Sequence, residues 1–136
     1  MQNAVWCTCP AMILLDLLTN KRYGLGDHIA PDQSTDAKLY SNIDLFSYVQ
    51  ASRYANTLLT DSVDGTSEAR FSCNTAIQGT TEAYTLINEL AGIMRAFPIW
   101  QAGSITIAQD RPTDTSYLFS LSNVSEAGFS YSGSSL

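Results

Sequence analysis

The sequence has few charged residues, and few of those are basic. Only 15% of its 136 residues are charged, whereas globular proteins typically carry about 25%. Seven Lys and Arg stand against 13 Asp and Glu, which gives a net charge of −6. This charge argues against nucleic acid as a partner, because phosphate binding needs a basic stripe, and against an anionic membrane surface. We therefore expect no nucleic-acid binding and no membrane insertion by this segment.

Long apolar runs are also lacking. The longest covers residues 11–15 and ends at Asp16, whereas a membrane-spanning helix needs about 20 apolar residues. Residues 1–3 carry no positive charge and no small-residue cleavage site follows them, so we expect no signal peptide. The three cysteines are an odd number and make no disulfide framework. This pattern favours synthesis in a reducing compartment.

Histidine is nearly absent, which leaves little material for acid–base or metal chemistry. His28 is the only histidine, and no G-x-S-x-G motif surrounds any serine, so a hydrolase triad lacks a base beside its nucleophile. Cys7, Cys9 and Cys73 could join His28 in a zinc site, but they lack the C-x₂₋₄-C spacing of structural zinc sites. We interpret these thiols as buried or idle, and predict no metal and no cofactor.

Two acidic groupings are better explained by a loop and a helix surface than by chemistry. Residues 61–68 resemble a fragment of a calcium loop, but Val63 stands where an EF-hand needs an oxygen ligand. Glu82 and Glu89 would lie about 10 Å apart along one helix, too far for a retaining glycosidase pair. We therefore predict no catalytic residue and expect that the chain is not an enzyme.

Hydrophobic periodicity predicts three amphipathic helices. They cover about residues 9–19, 44–59 and 81–96. Thr8 and Asp44 are predicted to cap the first two helices, since their side chains can accept hydrogen bonds from free N–H groups at a helix start.

Alternation and glycine patterns predict the strands and turns. Residues 69–78 alternate and predict a strand with Cys73 on its apolar face. Residues 97–109 predict a hairpin that turns at Ala102 and Gly103. Two glycines enclose Leu25 and predict a tight turn that tucks this leucine in. The remaining predictions are loops over residues 28–43 and 60–68 and a short strand over 117–119.

Six motifs follow one another in an order that resembles a known family. They are Cys9-Pro10-Ala11 with Asp16-Leu17-Leu18-Thr19, Arg22-Tyr23-Gly24-Leu25-Gly26, Glu68-Ala69-Arg70-Phe71-Ser72-Cys73-Asn74, Trp100-x-x-Gly103-x-Ile105, Gln109-Asp110-Arg111-Pro112, and Phe129-x-Tyr131-Ser132-Gly133-Ser134-Ser135. The series resembles the tail tip attachment proteins (host specificity protein J) of lambda-like siphophages over nearly the whole chain. Cys9 stands where the family has Asn, and Ala69 where it often has Pro.

The resemblance implies structural work in a virion. In that family the region is part of a homotrimeric hub at the distal tail tip, which joins the tail tube to the central fibre and helps gate genome ejection. We therefore expect a homotrimer that contacts other tail tip and tail tube proteins, made in the bacterial cytoplasm and carried in the virion. Receptor binding belongs to the far C-terminal part of the family protein, so this segment is expected to be scaffold.

The predicted fold class is α+β, with about three helices packed on a small, mostly antiparallel sheet, as an internal piece of a larger multidomain hub protein. Residues 1–60 are predicted as the helical part of one hub domain and residues 61–128 as its strand-helix-hairpin part. Residues 129–136 alternate like the beginning of a strand, and we predict that they start a following β-domain.

A cyclic trimer needs heterologous contacts, so two different faces of the domain should be buried. Two turns are the predicted contributors, although ordinary turn geometry explains each equally well. Their residues are Arg22, Tyr23, Gly24, Leu25 and Gly26 in the first, and Asp110, Arg111 and Pro112 in the second.

Two other functions stay open. A receptor- or carbohydrate-binding module predicts exposed aromatic residues on loops, such as Trp100 with Tyr117 or Tyr131. A cell-wall hydrolase domain predicts an open acidic cleft with two carboxylates at glycosidase separation.

Overall fold

A computed structural model of the chain describes residues 6–77, 82–113, 118, 120 and 122–123. Within them lie five helices and two antiparallel sheets of two strands each. The elements are α1 (Pro10–Thr19), α2 (Gly26–Ile29), α3 (Asp36–Leu39), α4 (Leu45–Ala55), β1 (Leu58–Thr60), β2 (Ser67–Ala69), α5 (Ala83–Ile93), β3 (Ala96–Gln101) and β4 (Ser104–Gln109). The predicted α+β class is confirmed, with three longer helices at its centre.

Helix α1 is the centre of the core. Pro10 stands at its first position, where a missing N–H costs nothing. Cys9 is therefore the N-cap residue, and the prediction that Thr8 caps the helix is wrong. The Thr8 carbonyl instead accepts a hydrogen bond of 2.8 Å from the backbone N–H of Cys73.

The core joins α1, α4 and α5 to the β3–β4 hairpin. The residues at its centre are buried and almost all apolar, as burial free energy requires. They are Cys9, Ala11, Leu14, Leu15, Leu18, Ile43, Tyr48, Ala51, Ala55, Cys73, Leu90, Ala91, Met94, Ala96 and Ile107.

Tyr48 is the one residue of this core with a hydroxyl group. Its side chain is fully buried, and its hydroxyl has no hydrogen-bond partner within the described ranges. Burial raises the pKa of Tyr48 far above its usual value, and the nearby Asp44 carboxylate adds to this. A buried hydroxyl without a partner costs free energy that the aromatic ring must offset.

We expect Tyr48→Phe to leave the free energy of unfolding unchanged or raise it by about 1 kcal/mol, because the orphan hydroxyl disappears and the ring stays. Tyr48→Ala should instead lose about 3–5 kcal/mol through the cavity it leaves. Chemical denaturation of both variants measures the difference. A loss of more than about 1 kcal/mol in Tyr48→Phe would show that the hydroxyl is satisfied in solution.

Two predicted elements differ in extent from those observed. Helix α4 ends at Ala55, short of the predicted residue 59, because the chain leaves it for strand β1. The predicted loop over 60–68 contains a hairpin turn between β1 and β2. In this turn the Asp61 side chain accepts from the N–H of Val63 at 2.8 Å, and Asp64 accepts from the N–H of Thr66 at 2.9 Å. Short polar side chains of this kind favour turns.

The predicted strand over 69–78 is wrong for most of its length. Strand β2 ends at Ala69, and the following residues bond singly to different parts of the body. The N–H of Phe71 donates to the carbonyl of Ala55 at 3.1 Å, and the N–H of Cys73 reaches the start of α1. The alternation correctly marks Cys73 as buried.

The β3–β4 hairpin is confirmed, with Gln101 opposite Ser104 and Ala102-Gly103 at the turn. Both turn residues have positive φ (51° and 80°), as a type I′ turn requires. The far edge of β4 pairs with the chain before α4, because the Ile105 N–H donates to Asn42 O at 2.9 Å and the Asp44 N–H to Ile105 O at 3.1 Å.

The predicted loop over 28–43 includes the short helices α2 and α3, and the predicted helix over 81–96 is α5. The predicted strands over 117–119 and 129–136 lie outside the described residues, apart from residue 118. None of the helices in the described ranges is long and apolar enough to span a membrane.

Candidate assembly surface

The residues considered for catalysis or metal binding do not come together. Across residues 6–77 and 82–113, no group of three His, Cys, Asp or Glu side chains is placed to hold a metal ion. His28 is exposed on α2, Cys7 is exposed, and Cys9 and Cys73 are in the core. Two cavities beside α5 offer one carboxylate each, from Glu89 in one and Asp16 in the other.

The turn over residues 22–26 closes the C-terminal end of α1. The N–H groups of Gly24 and Gly26 both donate to the carbonyl of Asn20 at 3.1 Å, and Leu25 N–H donates to Leu17 O at 2.8 Å. These bonds satisfy carbonyls that a helix end otherwise leaves free. Leu25 packs half-buried against the core, as predicted.

Arg22 and Tyr23 occupy the outer side of this turn. Both are exposed, and the Tyr23 hydroxyl donates a hydrogen bond to the Asp16 carboxylate. That bond raises the pKa of Tyr23 above its ordinary value. The predicted turn thus combines a closed backbone, built from Gly24 and Gly26, with two exposed side chains that a partner can reach.

The second predicted turn follows β4. Asp110 closes the hairpin base, because its carboxylate accepts from the Arg95 guanidinium at 2.6 Å and its N–H donates to the Arg95 carbonyl at 2.8 Å. This ion pair is exposed and contributes little stability. Arg111 lies over the ring of Tyr54, and Pro112 is exposed. No hydrogen bond or ion pair joins the two turns in the part of the chain that the structure describes.

The β3–β4 hairpin presents an apolar face that the predictions did not include. Ala96 and Pro98 point to the core side and are buried or half-buried, and side chains alternate between the two faces of a strand. Phe97 and Ile99 therefore point to the opposite face, where they are 64% and 42% exposed. Trp100, near the turn, is 66% exposed, but the alternation places it on the same side of the strand as Ala96 and Pro98.

The free edge of β3 is poorly suited to pairing with an added strand, so a partner is expected to contact the side chains of this face instead. The hydrogen bond from Asp110 N–H to Arg95 O shows that alternate residues, beginning with Arg95, bond to β4. The backbone N–H and C=O groups of residues 96, 98 and 100 therefore point away from β4. Pro98 has no N–H to offer there, which interrupts the row of donors that an added strand would need. We define the hairpin face as Phe97 and Ile99.

A signal for the hairpin face exists in the sequence. Residues 96–100 are four hydrophobic residues and a proline, and they lie in a strand of a two-stranded sheet. A strand with only one face on its own core should alternate apolar and polar residues. The missing alternation indicates that the second face is apolar for another reason, and exposed apolar patches often mark interaction sites.

Comparison with known proteins gives a specific relationship. No family model matches the chain. Tip attachment protein J of Escherichia phage SECphi27 is 38% identical over 130 residues, which are 96% of this chain and 10% of that protein. Tip attachment protein J of Escherichia phage SECphi4 is 28% identical over 131 residues, 96% of this chain and 11% of that protein. The resemblance to the tip attachment protein J family is confirmed.

The chain spans about a tenth of the length of these curated relatives. The similarity to tip attachment protein J covers both predicted turns and the hairpin face, since it extends over 96% of the chain. Both relatives are named as tip attachment proteins of phages, and neither name denotes an enzyme.

Proposed function

We propose that this chain is a structural segment of a bacteriophage tail tip. It serves as part of a hub that connects the tail tube to the central fibre and helps gate genome ejection. The observation that carries the proposal is the 38% identity to a tip attachment protein J over 96% of the chain. The hub role, the tail tube and fibre partners, and a place at the distal end of the virion tail are parts of this proposal.

The hairpin face supports an assembly role on physical grounds. Phe97 and Ile99 expose 64% and 42% of their surface, and aromatic residues such as Phe97 are enriched at protein interfaces. Burying such side chains contributes about 1.5–3 kcal/mol each. A low density of charge on the chain is consistent with a subunit that packs among others.

We propose a homotrimer as the assembled state. A three-fold arrangement needs two different faces on each copy. The hairpin face supplies an apolar one, and the exposed Arg22 and Tyr23 supply a polar one on a different element. Asp110 and Arg111 stay candidates for the same contact from the end of the hairpin.

Light scattering tests the trimer directly. We expect the full-length polypeptide that carries this segment to have the mass of a trimer, while the 136-residue chain alone is monomeric if adjoining parts supply most of the symmetry. A monomer in both samples would contradict the hub proposal. The exposure of Trp100 would then favour the receptor- or carbohydrate-binding module, whose other predicted aromatics, Tyr117 and Tyr131, lie outside the described residues.

A further inference from the structure

Two arginine side chains from distant parts of the chain meet at the ring of Tyr54. The guanidinium carbon of Arg70 lies 4.6 Å from the ring centroid, and that of Arg111 lies 5.6 Å from it. Tyr54 is on the last turn of α4, Arg70 follows β2 and Arg111 follows β4, so three segments converge here. The ring attracts both cations through its negative face.

Neither of these two charges forms an ion pair within the described part of the chain. The ion pairs found there are Lys21–Asp27, Lys38–Asp32 and Arg95–Asp110. The Arg70 Nε–H is buried and lacks a hydrogen-bond acceptor among the same residues. The two guanidinium carbons are at most about 10 Å apart, since both are measured from one ring, and partly buried charges are weakly screened by salt. An anion beside the ring would relieve the repulsion.

An open cavity beside the ring can admit such an anion. Its volume is about 410 Å³, and Tyr54, Arg111, Pro112 and Thr113 line it. The lining combines a cation with the apolar surfaces of a tyrosine and a proline. A carboxylate on a short apolar stem matches both, because a guanidinium binds a carboxylate through two parallel hydrogen bonds.

We propose that Tyr54, Arg70 and Arg111 form a carboxylate-recognition site for a Glu or Asp side chain of an acidic peptide segment on a partner protein. A single peptide carboxylate fits this chain better than a polyanion does, because the net charge of −6 repels a dense row of phosphates. The site is independent of the proposed role in a phage tail, since its charges and cavity belong to this chain alone.

Titration of the ¹⁵N-labelled 136-residue chain with a blocked Gly-Glu-Gly tripeptide tests the site, with arginine Nε–Hε NMR signals as the readout. We expect saturable shifts of the Arg70 and Arg111 signals in the millimolar range at constant ionic strength. The matched Gly-Gln-Gly tripeptide, which has the same shape without the charge, should leave both signals in place.

Arg111→Gln and Arg22→Gln form a matched pair of variants, because both remove one positive charge from an arginine with no ion pair in the described ranges. Arg111→Gln should weaken Gly-Glu-Gly binding about tenfold or more, as expected for loss of a charge-assisted hydrogen bond. Arg22→Gln should leave it unchanged. Equal losses in both variants, or linear shifts spread over all arginines, would refute a specific site. Tighter binding of inorganic phosphate than of the Glu peptide would refute the carboxylate assignment.

Discussion

Replacing Gly24 with alanine should lower the free energy of unfolding by about 3 kcal/mol or more, in the upper part of the range for single substitutions. A Cβ atom built on Gly24 would lie 2.0 Å from the carbonyl oxygen of Leu17 and 2.9 Å from that of Asn20. Both oxygens belong to backbone at the end of α1 and accept the hydrogen bonds that close it. The turn must therefore open, which exposes the carbonyls and withdraws Leu25 from the core.

The thermal midpoint measures this loss, with an expected drop of roughly 10 °C for a chain of this size. Gly92→Ala is the matched control, because Gly92 lies in helix α5 and a Cβ there meets nothing within 4 Å. It should be neutral or stabilise by up to about 1 kcal/mol, since alanine favours a helix. If Gly24→Ala were as mild as Gly92→Ala, the close approach at the end of α1 would not exist in solution.

At the Gly24 turn, the sequence predicts the turn itself but not the reason why glycine is needed there. Two glycines around a leucine correctly predict a tight turn. Positive φ is found among the described glycines at Gly65 and Gly103, not at Gly24 or Gly26. The glycines are needed because backbone oxygens lie against them, and that distance depends on how the chain folds back along α1. No local pattern contains this information.

The region after β2 shows where periodicity stops being informative. Alternation correctly predicts that Cys73 is buried, because burial depends only on which side of an extended chain faces the core. Whether that chain joins a sheet depends on a neighbour at the right distance. Here Phe71 and Cys73 bond to the end of α4 and the start of α1, so the segment is extended without being a strand. The β3–β4 hairpin was predictable because the two strands that pair are separated by only a two-residue turn.

The candidate site was predicted only in part. Sequence reasoning selected Arg22 and Tyr23, which are exposed, together with Gly24 and Gly26, which support the helix end. The apolar residues of β3 were predicted only as one strand of a hairpin, and the sequence pattern did not show which face of that strand the rest of the chain covers. Only the packing of α4 and α5 against one side of the hairpin leaves Phe97 and Ile99 on the other.

The double substitution Phe97→Thr with Ile99→Thr should weaken the proposed trimer of the full-length polypeptide while leaving the isolated chain folded. Threonine keeps the preference for a strand, and exposed positions change stability by about 0.5 kcal/mol or less. At an interface, each truncated apolar anchor costs about 2 kcal/mol. The two together weaken each contact roughly a thousandfold, at about 1.4 kcal/mol per tenfold. Light scattering of the full-length polypeptide measures the loss, and thermal unfolding of the 136-residue chain confirms the fold.

Leu58→Thr provides the matched control for an apolar side chain on an exposed strand. Leu58 lies in β1 and is 67% exposed, similar to Phe97. Its replacement should leave the trimer intact if assembly depends on the hairpin face. A trimer that dissociates no more readily after the double substitution would show that Phe97 and Ile99 face solvent in the assembly. Equal weakening of the trimer in both variants would show that any exposed apolar side chain contributes to assembly and that the hairpin face has no specific role. Loss confined to the variant at Phe97 and Ile99 would explain why both faces of the strand carry hydrophobic residues although the core of the chain covers only one face.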